Sequence, residues 1–184
     1  MKLIRMVTED GPRVALAAGE AAVPLQAQDG SAPVTLPLDK EWRRRARKMN
    51  QALTRSPEEF SNRAVSLGDA ELLPPVARPG KVVCLGLNYR DHAEESGMEV
   101  PEEPVVFGKA ACSVTGPGSP IVMPEASDKI DYEVEMAMVI GREGKNLSPA
   151  LAPQHIAGYT VLNDVSARDY QHDKPGGQWF LGKS

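Results

Sequence analysis

Three carboxylates stand out by type and spacing. Residues 130 to 141 read Ile-Asp-Tyr-Glu-Val-Glu-Met-Ala-Met-Val-Ile-Gly. On a strand, Glu133 and Glu135 (i and i+2) share one face with Asp131, about 7 Å apart at their Cα atoms. Carboxylates that close repel unless positive charge lies between them. A divalent cation meets that need, because hard cations take oxygen ligands. Taken by itself, the strand reads equally as an ordinary sheet with one wet face. Asp164 adds weight to the first reading. It ends a strand-like run, just before Ser166-Ala-Arg-Asp169, which has the form of a capping box opening a helix. Glu133, Glu135 and Asp164 then make an oxygen-only set with positions open for water and substrate. Arg168 and Gln171 fall on the first turns of the expected helix, where they can hold a substrate carboxylate.

A second constellation is His92 with Glu95. At i and i+3 on a short helix they share a face. A carboxylate that accepts from one imidazole nitrogen leaves the other poised as a base. A solvated surface pair is the plainer reading of the same spacing. Gly177-Gln-Trp-Phe-Leu-Gly182-Lys183-Ser184 matches a phosphate-binding G-x-x-x-x-G-K-[ST] pattern. That mechanism needs a hydrophobic strand before the loop and a helix after it. Asp-Lys-Pro-Gly precedes, and bulky Trp179, Phe180 and Leu181 fill the loop, so a nucleotide site is rejected. Lys183 remains a candidate cation near developing negative charge.

The elements that must position these groups are mostly short strands. Residues 2 to 8 and 13 to 17 flank Glu-Asp-Gly-Pro and read as a hairpin. Residues 39 to 53 are helical in pattern. Their five basic residues, Arg43, Arg44, Arg45, Arg47 and Lys48, read as a solvated helix face. Residues 73 to 80 contain three prolines and form a linker, with a boundary near residue 78. Beyond it, strands are expected at 81 to 87, 104 to 108, 120 to 123, 130 to 141 and 155 to 163, with a short helix from Asn88 through Ser96. Along 130 to 140 the even-numbered residues form an apolar face that needs a covering layer.

Composition bounds the function. The 184 residues carry a net charge of −4, with 41% hydrophobic residues. That is enough to fill a core, and the mild acidity argues against a nucleic-acid binder. No apolar run reaches the ~20 residues of a membrane span. The first 13 residues mix acids and bases, unlike a signal or transit peptide. Cys84 and Cys112 are far apart and read as reduced thiols in a cytoplasmic protein.

Five segments, in order KVVCLGLNYRDHAEE, PVVFGK, DYEVEMAMVIG, GYTVLNDVSARDYQ and QWFLGKS, resemble the fumarylacetoacetate hydrolase superfamily. The branch of the domain-containing protein 2 type is the nearest in motif. The resemblance is strong over residues 79 to 184 and weak before. It implies a mainly β fold with short helices: a mixed β-sheet roll, incomplete here, behind a small α+β N-terminal domain. It divides the chain into residues 1–77, N-terminal domain and linker, and 78–184, the first part of the catalytic domain. Residues that complete the roll in the family are expected beyond residue 184. Residues 1 to 184 alone are expected to aggregate, or to need an oligomer or a complementing chain.

By motif match, the resemblance puts Mg²⁺ or Mn²⁺ on Glu133, Glu135 and Asp164. It puts the base on His92 with Glu95, supporting charge on Lys183, and substrate contacts on Lys109, Arg168 and Gln171. It implies a small-molecule keto-acid substrate and a homodimer, with no nucleic acid and no membrane. The expected reaction is metal-dependent hydrolysis of a C–C bond in an acylpyruvate-type 2,4-dioxo acid, with the ion as Lewis acid for an enolate. Oxaloacetate decarboxylation or keto–enol tautomerisation is the alternative at the same site. A non-catalytic metal-binding domain is the third reading.

Overall fold

A computed structural model of the chain describes residues 1 to 91, 97 and 99 to 184. The chain divides into two compact units. The first comprises residues 1–77, 115–120 and 138–160; the second comprises 78–114, 121–137 and 161–184.

The first unit is built on a five-stranded antiparallel sheet. Strands β1 (Lys2–Thr8), β2 (Gly11–Ala18), β3 (Ala21–Pro24), β4 (Val65–Ser66) and β5 (Leu72–Leu73) lie in the order β4-β3-β2-β1-β5. The expected hairpin is there, with Thr8 opposite Gly11. Gly11 takes φ +94°, a conformation that costs a side-chain-bearing residue strain. Alternation along β2 sends Val14 and Leu16 to one face and Ala15 to the other. On the first face they pack with Val23, Leu25 and Leu38 against helix α1 (Lys40–Arg55) through Ala46 and Leu53. Each fully buried aliphatic side chain contributes about 1.5–3 kcal/mol. Asp39 caps α1 by accepting from Trp42 N at 2.8 Å. Leu72 and Leu73 pair with Met6 and Arg5, so the linker begins one residue later than the sequence suggests.

In the second unit, β6 (Val82–Gly86) runs antiparallel to β7 (Val105–Lys109). Residues 130 to 141 are not one strand. They break into β8 (Ile130–Asp131) and β9 (Val134–Ile140). The break is explained by partners: β8 pairs with β11 (Ser166–Ala167), whereas β9 forms a separate two-stranded sheet with β10 (Ile156–Asn163). Ser166 to Asp169 does not open a helix either. Ser166 is opposite Asp131 in the β11–β8 ladder, and a π-helical turn follows over Asp169–Asp173. Residues 120 to 123 form no strand. Helix α2 (Trp179–Gly182) occupies the stretch that mimics a phosphate loop. Its Trp179 packs edge-on to Phe107 at 5.4 Å between centroids.

The strict alternation of β9 is observed, with an outcome the sequence left open. Val134, Met136, Met138 and Ile140 are all more than half exposed, and nothing within the described residues covers them. Among the described residues, no helix is long and apolar enough to cross a membrane.

Candidate active site

The site lies in the second unit, where strand ends converge. Asp164 N donates to Glu133 O at 2.8 Å, and Glu133 N donates to Asn163 Oδ1 at 3.2 Å. The break between β8 and β9 therefore places Glu133 directly beside Asp164. Both carboxylates meet the same ammonium. Lys183 Nζ lies 2.7 Å from Glu133 Oε2 and 3.4 Å from Asp164 Oδ2. Lys183 is 2% exposed, and its Nζ stands 5.3 Å from the centre of the Phe107 ring. A charge this buried is stable only with close opposite charges.

Two further cations complete the cluster. Lys109, at the end of β7, donates to Asp164 Oδ1 at 2.6 Å and to Val165 O at 3.0 Å. Arg168 reaches Glu133 Oε1 at 2.6 Å and Asp131 Oδ2 at 2.8 Å, and donates to Gln171 Oε1 at 3.0 Å. Lys109, Arg168 and Lys183 thus balance Asp131, Glu133 and Asp164. Burial alone would raise the Glu133 carboxyl; Lys183, and then Arg168, outweigh it and hold that group below the usual carboxylate range. The hydrogen bond from Arg168 does the same for Asp131, against a smaller opposing effect of burial. Half-buried Cys84 has its thiol pushed up by burial and then by the Asp164 charge, so it is a poor nucleophile at neutral pH.

The structure brings together six of the residues singled out from sequence: Lys109, Glu133, Asp164, Arg168, Gln171 and Lys183. Glu135 has a different partner: its Oε2 accepts from Asn88 Nδ2 at 3.1 Å. His92 and Glu95 lie outside the described residues. Asp131 and Asn88 are further polar partners, of Arg168 and Glu135 respectively. The sequence shows Asp131 on the acidic face, but only the β8–β11 register reveals Arg168 as its partner. Asn88 reads locally as a helix cap, and nothing local links it to Glu135.

A hard divalent ion fits the donor chemistry, since Glu133 and Asp164 already converge on one positive charge. Among the described residues, no three His, Cys, Asp or Glu side chains gather as a ready ligand set.

The mainly β fold with few short helices and this charged cluster define a class that comparison makes specific. The family model described as "Fumarylacetoacetate (FAA) hydrolase C-terminal" matches residues 81–184. The chain belongs to the fumarylacetoacetate hydrolase family. It is 38% identical over 188 residues to "Oxaloacetate tautomerase fahd2, mitochondrial" of Xenopus laevis, covering 100% of this chain and 58% of that protein. It is 49% identical over 116 residues to "Oxaloacetate tautomerase FAHD2A, mitochondrial" of Homo sapiens, covering 63% of this chain and 37% of that one. A 5-carboxymethyl-2-hydroxymuconate delta-isomerase from Mycobacterium smegmatis superposes with TM-score 0.69 at 32% identity, covering 100% of this chain and 61% of that one. The chain therefore spans less than two thirds of these relatives' lengths.

Proposed function

We propose that this chain carries the active site of an enzyme acting on small 2-oxo acids, and that the reaction is keto–enol tautomerisation of oxaloacetate. The observation that carries the proposal is the buried Lys183 ammonium held between Glu133 and Asp164. A preorganised cation in a dry site stabilises oxyanion character at a carbonyl that loses its neighbouring proton. The names of the Xenopus and human relatives favour oxaloacetate.

Each residue has a definite task. Lys109 and Arg168 bring two positive charges to the cluster, suited to the carboxylates of a dicarboxylic acid. Of the three N–H donors of Lys109, two are engaged among the described residues, which leaves one for a substrate oxygen. Gln171 is buried and fixes Arg168. Lys183 serves the oxygen that gains charge as the C–H proton passes to a base, the role the sequence gives to His92. Glu133, Glu135 and Asp164 would hold Mg²⁺ or Mn²⁺, which when bound supplies Lewis acidity at the substrate oxygens. The test follows the enol absorbance of oxaloacetate, with and without Mg²⁺. Faster approach to keto–enol equilibrium than in buffer supports the reading; an unchanged rate refutes it.

Hydrolysis of an acylpyruvate is the second reading. It rests on the sequence pairing of His92 with Glu95, which provides the base to activate water. Under this reading His92→Ala lowers hydrolysis by ~10²–10⁴-fold. Absence of pyruvate release from an acylpyruvate by the wild-type chain rejects it.

A further inference from the structure

The first unit contains a second cluster of charge that the keto-acid site does not use. Helix α1 carries seven basic residues against one acid, Glu41, although the whole chain is acidic. Glu41 is already paired with Arg45 at 2.7 Å. One of the remaining guanidiniums, Arg43, lines a cavity of about 250 Å³ together with Arg142, Gln154 and His155. Among the described residues, neither Arg43 nor Arg142 is in an ion pair. The acids nearest in sequence do not change this. Asp39 gives its side chain to Trp42 N and only its main-chain carbonyl to Arg43, and among the described residues Glu143 makes no ion pair.

The cavity floor is shaped by a close backbone approach. A Cβ on Gly141 would lie 2.6 Å from Ala157 Cβ, and Gly141 N donates to His155 O at 2.9 Å. His155 Nδ1 lies 3.2 Å from Arg142 O, and a carbonyl only accepts. That partner assigns the proton to Nδ1 and leaves Nε2 as an acceptor for a ligand hydroxyl. Two forked guanidiniums and a side-chain amide make a donor-rich hollow, and no carboxylate among the described residues lines it.

We propose that this hollow binds a phosphoryl group, as inorganic phosphate or as a small phosphate monoester. A tetrahedral dianion offers enough acceptor oxygens for both arginines, which pair with phosphate in a bidentate manner. The basic helix raises the local concentration of such anions. The volume admits a phosphoryl group with a body of a few carbons, whereas ordinary ligand pockets start at about 300 Å³.

Calorimetry of the chain with inorganic phosphate and with glycerol phosphate, at constant ionic strength, tests the proposal and distinguishes the two sources. Saturable binding is expected. Arg43→Ala and Arg142→Ala are each expected to weaken it about tenfold, the worth of a hydrogen bond to a charged group. Arg44→Ala, on the same helix but not lining the hollow, should leave it unchanged. Absence of saturation overturns the proposal. So does equal weakening by all three variants, which would mean diffuse charge rather than a site. An RNA oligonucleotide bound more tightly than either phosphate would also overturn it, marking α1 as a polyanion surface. All these readouts are independent of oxaloacetate turnover, so failure here leaves the keto-acid reading standing.

Discussion

Lys183 and Glu133, fifty positions apart in sequence, meet at 2.7 Å. The lysine is almost wholly enclosed, the carboxylate about one-fifth exposed. Much of the second unit's organisation serves this one contact. The β8–β9 break presents Glu133, and Lys183 follows directly on α2, whose Trp179 packs on Phe107.

Removal of that lysine should therefore be costly. Lys183→Met keeps the volume but leaves Glu133 and Asp164 short of a partner. It is expected to destabilise the fold by about 3 kcal/mol, the lower end for breaking a buried pair, because Lys109 and Arg168 remain. Urea unfolding measures this. A midpoint unchanged from wild type would mean that the pair contributes nothing.

Gly182, the residue before Lys183, is enclosed by main chain. A Cβ there would lie 2.9 Å from Ala167 O and 3.0 Å from Gln171 N. Neither backbone atom can step aside as a flexible side chain would. Gly182→Ala is expected to cost about 1–3 kcal/mol, as overpacking does. It should also lower oxaloacetate turnover, because Lys183 moves with its neighbour. Thermal melting and the enol assay together check both effects.

The core of the first unit gives a contrast. Leu16 is fully buried in the α1-facing cluster, whereas Val106 on β7 is 63% exposed. Leu16→Ala should cost about 2–5 kcal/mol, and Val106→Ala no more than about 0.5 kcal/mol. Similar losses from the two, read by urea unfolding, would contradict the burial pattern.

One pH effect has a clear sign. The Ser127 hydroxyl donates to Asp169 Oδ1 at 2.6 Å and holds that carboxyl below the ordinary aspartate value. A depressed acid adds stability above its unfolded pKa, about 3.9, and that contribution is lost as pH falls through the lower folded value. Ser127→Ala should raise the Asp169 midpoint in a carboxyl NMR titration. A midpoint that does not move would show that the hydroxyl is not the cause.

Much of this was legible in the sequence where the signal is local. The β1–β2 hairpin, helix α1 and the alternation of β9 all follow from neighbours two to four residues apart. The failures came where distant strands choose partners. Residues 130 to 141 look continuous, yet β11 takes Ile130 and Asp131 while β10 pairs with β9 (Val134–Ile140), leaving Tyr132 and Glu133 between them. Ser166 carries a capping signature but is drawn into that same ladder. At the site, residue types point to Glu133, Glu135 and Asp164 and leave Lys183 as a candidate cation. No local pattern shows that Lys109 and Arg168 are themselves neutralised by Asp164, Asp131 and Glu133.

The most direct test compares wild type with Glu133→Gln in oxaloacetate keto–enol exchange at saturating Mg²⁺. The substitution keeps the size of the side chain and removes the charge that fixes Lys183 and Arg168. Near-UV circular dichroism establishes that the variant is folded. A loss of about 10²-fold is expected, in line with misplacing groups around a reacting centre. A folded Glu133→Gln chain that turns over oxaloacetate at the wild-type rate would contradict the assignment of the Glu133–Asp164–Lys183 cluster as the active site.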